Sequence, residues 1–191
     1  MSGDARATAW LVRITTLRIV LVPAVMALVL VGDTMRYAYV AAAALFVVAA
    51  GTDFVDGYLA RRWRLTTTLG SFLDTTADKL LVTGALIALV AAGRASPWIA
   101  AVVVARELVI LGLRGMVALD GAVMEPSLWG KVKANAQFLA IVLAMLRIPE
   151  RVGPLHVDEW AMIAAAFITI MSAWDYLARW SSVLTSGTRR P

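Results

Sequence analysis

Six uncharged apolar runs punctuate the chain: Ile19 to Gly32, Tyr37 to Thr52, Leu80 to Gly93, Ala95 to Ala105, Ala134 to Leu146, and Trp160 to Trp174. Each is shorter than the roughly 20 residues an α-helix needs to cross hydrocarbon. Flanking residues must therefore complete each span, and these include charges. The second run continues into Asp53, Asp56 and Arg61; the third is preceded by Asp74, Asp78 and Lys79; the fourth leads to Arg106, Glu107 and Arg114. Lys131 and Lys133 precede the fifth, and Asp175 and Arg179 follow the sixth. The pattern predicts an all-α integral membrane protein of six transmembrane helices. A short interfacial helix should come first, with Trp10 at headgroup depth. A single domain over 1–191 is expected, with 1–16 as the interfacial segment and 181–191 as a flexible cytoplasmic tail.

If the six spans alternate in direction, all of these charges fall on one side of the membrane. Random polar interruptions would scatter over both sides, whereas a shared, water-accessible cavity gathers them on one. That side also holds Arg6, Arg13, Arg62, Arg64, Arg189 and Arg190, against Arg36, Arg94, Arg147 and Arg151 opposite. The positive-inside rule makes it cytoplasmic, with both termini there. The opposite loops, Gly32-Asp33-Thr34, Gly93 to Pro97 and Pro149 to Asp158, read as short turns. Small-residue runs at Ala41 to Ala44 and Ala164 to Ala166 permit close helix approach within the bundle or between two copies, so a homodimer is expected.

Composition agrees with that pattern. Of 191 residues 61% are hydrophobic and 16% charged, against about 45–50% and about 25% in a soluble domain. The net charge of +5 comes from 15 Arg and 3 Lys against 13 acids. In a membrane protein it speaks of topology and anionic lipid heads rather than nucleic acid, for which no motif is present. The absence of cysteine removes disulfides and thiolate metal sites. The first apolar run lacks a signal-peptide cleavage site and leads into more apolar chain, so it is expected to remain as a span.

The chemistry concentrates in DFVDGYLARRWRLTTTLGSFLDTTAD, residues 53–78. Asp53 and Asp56 are three apart, and Asp74 and Asp78 four apart, so each pair shares a helical face. Two such helix ends brought together make a cage of oxygen ligands, suited to the hard cations Mg²⁺ or Mn²⁺. A salt-bridge network with Arg61, Arg62 and Arg64 is the bland alternative; four acids at the edge of lipid are more than it needs. A cation transporter is the alternative of another class, but it would need polar residues through the full depth, and the outer halves are apolar.

This spacing resembles the signature of the CDP-alcohol phosphotransferase family, D-x2-D-G-x2-A-R-x8-G-x3-D-x3-D, met in full by Asp53, Asp56, Gly57, Ala60, Arg61, Gly70, Asp74 and Asp78. At about 5% usage per residue, eight such matches arise by chance on the order of 10⁻¹⁰ per starting point. The segments TLRIVLVP, ADKLLV, ARELVILGLR and GKVKANAQ are similar to those of the bacterial phosphatidylglycerophosphate synthases, from about Thr16 to Gln137. The resemblance implies a bacterial inner-membrane bundle of that family's type, active on its cytoplasmic side. It implies transfer of the phosphatidyl group of CDP-diacylglycerol to glycerol 3-phosphate, with release of CMP. By that similarity, Asp53, Asp56, Asp74 and Asp78 would hold two Mg²⁺ or Mn²⁺ ions, and Asp78 would also take the proton of the attacking hydroxyl. Gly57, Arg61 and Thr67 would contact the cytidine diphosphate. Arg106, Arg114, Lys131 and Lys133 form the pocket expected for the acceptor's phosphate, chosen as four cations at the ends of spans four and five. Cardiolipin synthase and inositol-phosphate-using relatives are the alternatives within the same chemistry. Three positions depart from the family pattern: Thr75 for Pro, Ala134 for Thr and Val12 for Asn.

Overall fold

The computed structural model describes the backbone of residues 3–63, 68–119 and 128–186, and the side chains of 15–52, 73, 75–118 and 128–179. Among the described residues there are six helices: α1 (Gly3–Leu30), α2 (Ala38–Trp63), α3 (Thr68–Ala91), α4 (Pro97–Leu119), α5 (Leu128–Leu146) and α6 (Val157–Ser186). Their ends follow local chemistry. After α3 the chain turns at Gly93, whose φ of 65° is open to glycine without strain. There Gly93 N donates to Val90 O and Arg94 N to Leu89 O, at 3.1 and 2.8 Å, closing α3 with a Schellman motif. Pro97 then occupies the first position of α4, where its missing N–H costs nothing.

The helices pack as two interlocked groups. α1 lies chiefly against α3 and then α2, α5 lies against α6, and α4 lies against α6. Contacts of α5 with α2 and α3, and of α3 with α4, close the bundle. Small residues set the spacing: Ala42, Ala43, Ala49, Ala85, Ala88, Ala140, Ala144 and Ala165 are all buried in the common core. At Gly84 an added Cβ would sit 2.6 Å from Val22 Cγ1, so α1 and α3 approach as closely as glycine allows. Phe46 and Phe138 stack at 5.3 Å between ring centroids and fill the gap between α2 and α5.

Apolar side chains cover the outside of the bundle as well as filling its core. Trp98, Leu108, Phe167 and Trp174 stand on the outside, while Arg18, Arg106, Glu107, Lys133 and Asp158 are buried. Outward apolar residues on every helix are what hydrocarbon rewards, and internal polar groups then seek each other. Among the described residues Val157–Arg179 is long and apolar enough to cross a membrane by itself, and Thr15–Leu30 and Ala38–Thr52 are shorter apolar stretches.

Three expectations change. The N-terminal segment is not a separate short helix: α1 runs unbroken from Gly3 to Leu30, because no glycine or capping turn interrupts it and Pro23 is accommodated inside. The 149–158 loop is not merely a turn. Arg151–Val152 (β1) pairs antiparallel with Leu155–His156 (β2) around Gly153, whose φ is 67°. Among the described residues the all-α expectation holds except for this hairpin. At the C-terminus helix continues to Ser186, past the expected start of a tail at 181; residues 187–191 lie outside the described residues.

Candidate functional site

α2 and α3 are consecutive helices in contact, separated by residues 64–67. Asp56 lies seven residues before Trp63, and Asp74 six after Thr68. At 1.5 Å per residue both stand about 10 Å from the end of their helix, while Asp53 and Asp78, each ten residues in, stand about 15 Å away. The helix bounds therefore put the two acid pairs at matching heights on neighbouring helices. The donor chemistry fits a hard divalent cation: all four groups are carboxylates. The side chains of Asp53, Asp56 and Asp74 lie outside the described residues, as do those of Gly57's neighbours and Arg61; Thr67 lies outside them altogether. Among the described residues no group of three or more acids or histidines gathers. The Asp78 side chain is 56% exposed.

Beside Asp78 the four helices α2, α3, α4 and α5 enclose a cavity of about 360 Å³. Its polar wall is formed by Asp78, Lys79, Glu107, Lys133, Asn135 and Gln137, and its apolar wall includes Phe46 and Phe138. Glu107, only 4% exposed, is the hub of that wall. Its Oε2 accepts from Lys79 Nζ at 2.5 Å, and its Oε1 accepts from both Lys133 Nζ and, at 3.3 Å, Arg106 Nη1. The remaining end of Arg106 donates to Ser172 Oγ on α6 at 2.7 Å. Arg114 donates to the hydroxyl of Tyr176 at 3.0 Å, and the Tyr176 ring lies 5.6 Å from both guanidinium carbons. The Nε atoms of Arg106 and Arg114 are buried without a hydrogen-bond partner. A buried donor left unmatched is costly; His156 Nδ1, Asp158 Oδ1 and Asp175 Oδ2 are buried without a partner as well.

Of the four cations expected to gather, the structure brings Arg106 and Lys133 together through Glu107 and sets Arg114 beside Arg106 across Tyr176. Lys131 stands apart on an exposed position of α5. Two residues from Lys133, it is turned about 200° away around the helix. Glu107 does not pair with Arg114 seven residues on, although they share a helical stripe; the three nearer cations hold it. Asp175 and Arg179 do form an ion pair, at 2.8 Å. His156 lies on the hairpin at the opposite end, where Arg151 Nε donates to its Nε2 at 3.2 Å.

Sequence reasoning did not single out Lys79, Gln137, Ser172 or Tyr176 as neighbours of this site. It also passed over Arg18, now found fully buried. Its Nε donates to Ala49 O at 3.1 Å, and its Nη2 lies 3.4 Å from Thr52 Oγ1. That clamp ties α1 to the last turn before Asp53. The available signal was a lone cation within the apolar stretch of α1, which hydrocarbon tolerates only where a partner waits.

The chain matches the family model described as CDP-alcohol phosphatidyltransferase over residues 12–183. A CDP-diacylglycerol–glycerol-3-phosphate 3-phosphatidyltransferase of Bacillus subtilis is 38% identical over 186 residues, covering 91% of this chain and 96% of that protein. The protein of the same name from Sodalis glossinidius is 41% identical over 170 residues, covering 86% and 90%. A probable phosphatidylglycerophosphate synthase of Mycobacterium tuberculosis is 38% identical over 182 residues, covering 94% and 85%.

Proposed function

The chain belongs to the CDP-alcohol phosphatidyltransferase family, and we propose that within it this enzyme moves the phosphatidyl group of CDP-diacylglycerol to sn-glycerol 3-phosphate, releasing CMP. The observation that carries the choice of acceptor is the cationic wall beside Asp78. Lys79, Lys133 and Arg106 surround Glu107, leaving one positive charge in excess once Asp78, 3.8 Å from Lys79, is counted, and the Nε atoms of Arg106 and Arg114 are buried without a partner. A phosphate dianion on a small, soluble alcohol meets both needs. Phosphatidylglycerol, the acceptor of the cardiolipin alternative, brings only a monoanionic diester.

In this reading the six helices span the inner membrane with α2's end, α3's start and the α4–α5 cations toward the cytoplasm. The outward apolar residues of all six helices support it, as do the charges gathered at one end of the bundle. Asp53, Asp56, Asp74 and Asp78 would hold Mg²⁺ or Mn²⁺, which when bound neutralises charge on the diphosphate and its leaving group. Gly57, Arg61 and Thr67 would receive the cytidine diphosphate. Arg106, Arg114 and Lys133 orient glycerol 3-phosphate through its phosphate, and exposed Lys131 adds positive field at the entrance. Asp78, on the cavity wall, accepts the proton of the attacking hydroxyl as that oxygen bonds the phosphorus next to diacylglycerol and the bond to CMP breaks.

The test is to supply the purified protein with CDP-diacylglycerol and, separately, glycerol 3-phosphate, inositol phosphate and phosphatidylglycerol. Glycerol 3-phosphate is expected to give the fastest CMP release and a phosphatidylglycerophosphate product. Preference for either other acceptor would overturn the assignment.

A further inference from the structure

Glu107 is the buried acid among the cations of this wall, Asp78 being the exposed one, and its position is unusual in a site meant for an anion. By charge alone it opposes the acceptor. Yet it is nearly fully buried, and its two oxygens meet three cations from three helices: Lys79 of α3, Arg106 of its own α4, and Lys133 of α5. Lys133 is itself buried, with only 8% of its side chain exposed. A long, flexible ammonium side chain in such a place needs a fixed counter-charge to hold one conformation.

Lys79 has a choice of partners. Its Nζ lies 2.5 Å from Glu107 but 3.8 Å from Asp78 Oδ2, the outer edge of an ion pair. Glu107 thus holds Lys79 away from the carboxylate that would act as the base. Without that hold, the ammonium is close enough to move onto Asp78.

We propose that Glu107 is a positioning residue for the transfer reaction, fixing Lys133 and Arg106 for the acceptor phosphate while keeping Lys79 off Asp78. This rests on the reading of the cavity as the glycerol 3-phosphate site and adds to it a residue that touches neither substrate. The role has a sign that distinguishes it from simple electrostatics. If Glu107 only dilutes the positive field, neutralising it tightens binding of an anionic acceptor. If it positions, neutralising it loosens binding despite the gain in positive charge.

The experiment measures kcat and the KM for glycerol 3-phosphate in wild type, Glu107→Gln, Glu107→Asp and the double variant Glu107→Gln/Lys79→Met. Thermal unfolding of each purified protein is followed alongside. Glu107→Gln is expected to raise the KM about tenfold or more, and also to lower kcat, the latter through Lys79 settling on Asp78. Glu107→Asp keeps the charge and is expected to fall between wild type and Glu107→Gln in both parameters. The double variant is expected to recover kcat while the KM stays high. An unchanged or lower KM in Glu107→Gln overturns the proposal, and so does a kcat that stays low when Lys79 is also removed. Should Glu107→Gln not fold, Glu107→Asp decides: a KM equal to that of wild type refutes the positioning role. Failure of wild type to use glycerol 3-phosphate at all would instead sink the assignment of the acceptor, so the two failures are separable.

Discussion

The two ends of this bundle solve the problem of charge near lipid in opposite ways. At the end that carries Asp78, charges are drawn inside: Glu107 binds cations from three helices, Arg18 clamps α2, and a cavity opens beside them. At the other end, charges serve the connections. Arg94 donates to Met145 O at 3.1 Å, stacks over the Tyr39 ring at 3.4 Å and approaches Asp33 at 3.8 Å, while Tyr39 donates to Asp33 at 2.8 Å. One arginine there ties the α1–α2, α3–α4 and α5 ends into a clasp. The difference lies in how charge is arranged: at one end several cations share a buried carboxylate beside a cavity, whereas at the other a single arginine joins the helix connections.

That contrast can be broken by substitution. The largest effect is expected for Asp78→Asn, which should lower CMP release by about 10²–10⁴-fold, the range for a lost general base. Binding of CDP-diacylglycerol, measured by equilibrium retention of labelled lipid, should be largely spared. An active Asp78→Asn enzyme would remove Asp78 from the role of base. Next, Lys133→Ala should raise the KM for glycerol 3-phosphate by about 10–100-fold, matching the loss of a charged hydrogen bond of about 1.5–3 kcal/mol. An unchanged KM would take Lys133 out of the pocket. The smallest effect on turnover is expected at the far end. Arg94→Met should lower stability by about 1–3 kcal/mol through the lost hydrogen bond and ring contact, read as a lower unfolding temperature in detergent, with kcat within about twofold of wild type. A large fall in kcat with unchanged stability would show that the two ends are not separate in function.

Much of this organisation was legible in the chain. The six apolar runs each mark a helix, and the matching heights of Asp53 with Asp78 and Asp56 with Asp74 follow from motif spacing once α2 and α3 are known to be neighbours. What could not be read was which cation meets which acid. Glu107 and Arg114 share a stripe along α4, a spacing compatible with pairing, but besides the adjacent Arg106 the actual partners, Lys79 and Lys133, come from helices whose closeness only the packing decides. Lys131 and Lys133 look equivalent in sequence, yet about 200° of helical rotation buries one and exposes the other. The β1–β2 hairpin escaped notice because two residues on each side of Gly153 are too few to show an alternating pattern.

The central claim is that the carboxylates on α2 and α3 serve the reaction by holding divalent cations. Electron paramagnetic resonance of Mn²⁺ added to metal-stripped protein tests it most directly, alongside CMP release from the same samples. Wild type is expected to bind about two Mn²⁺ per chain and to regain activity in step, while Asp74→Asn should lose both the binding and the activity. Full CMP release from stripped protein, or Mn²⁺ binding unaltered by Asp74→Asn, would contradict the account.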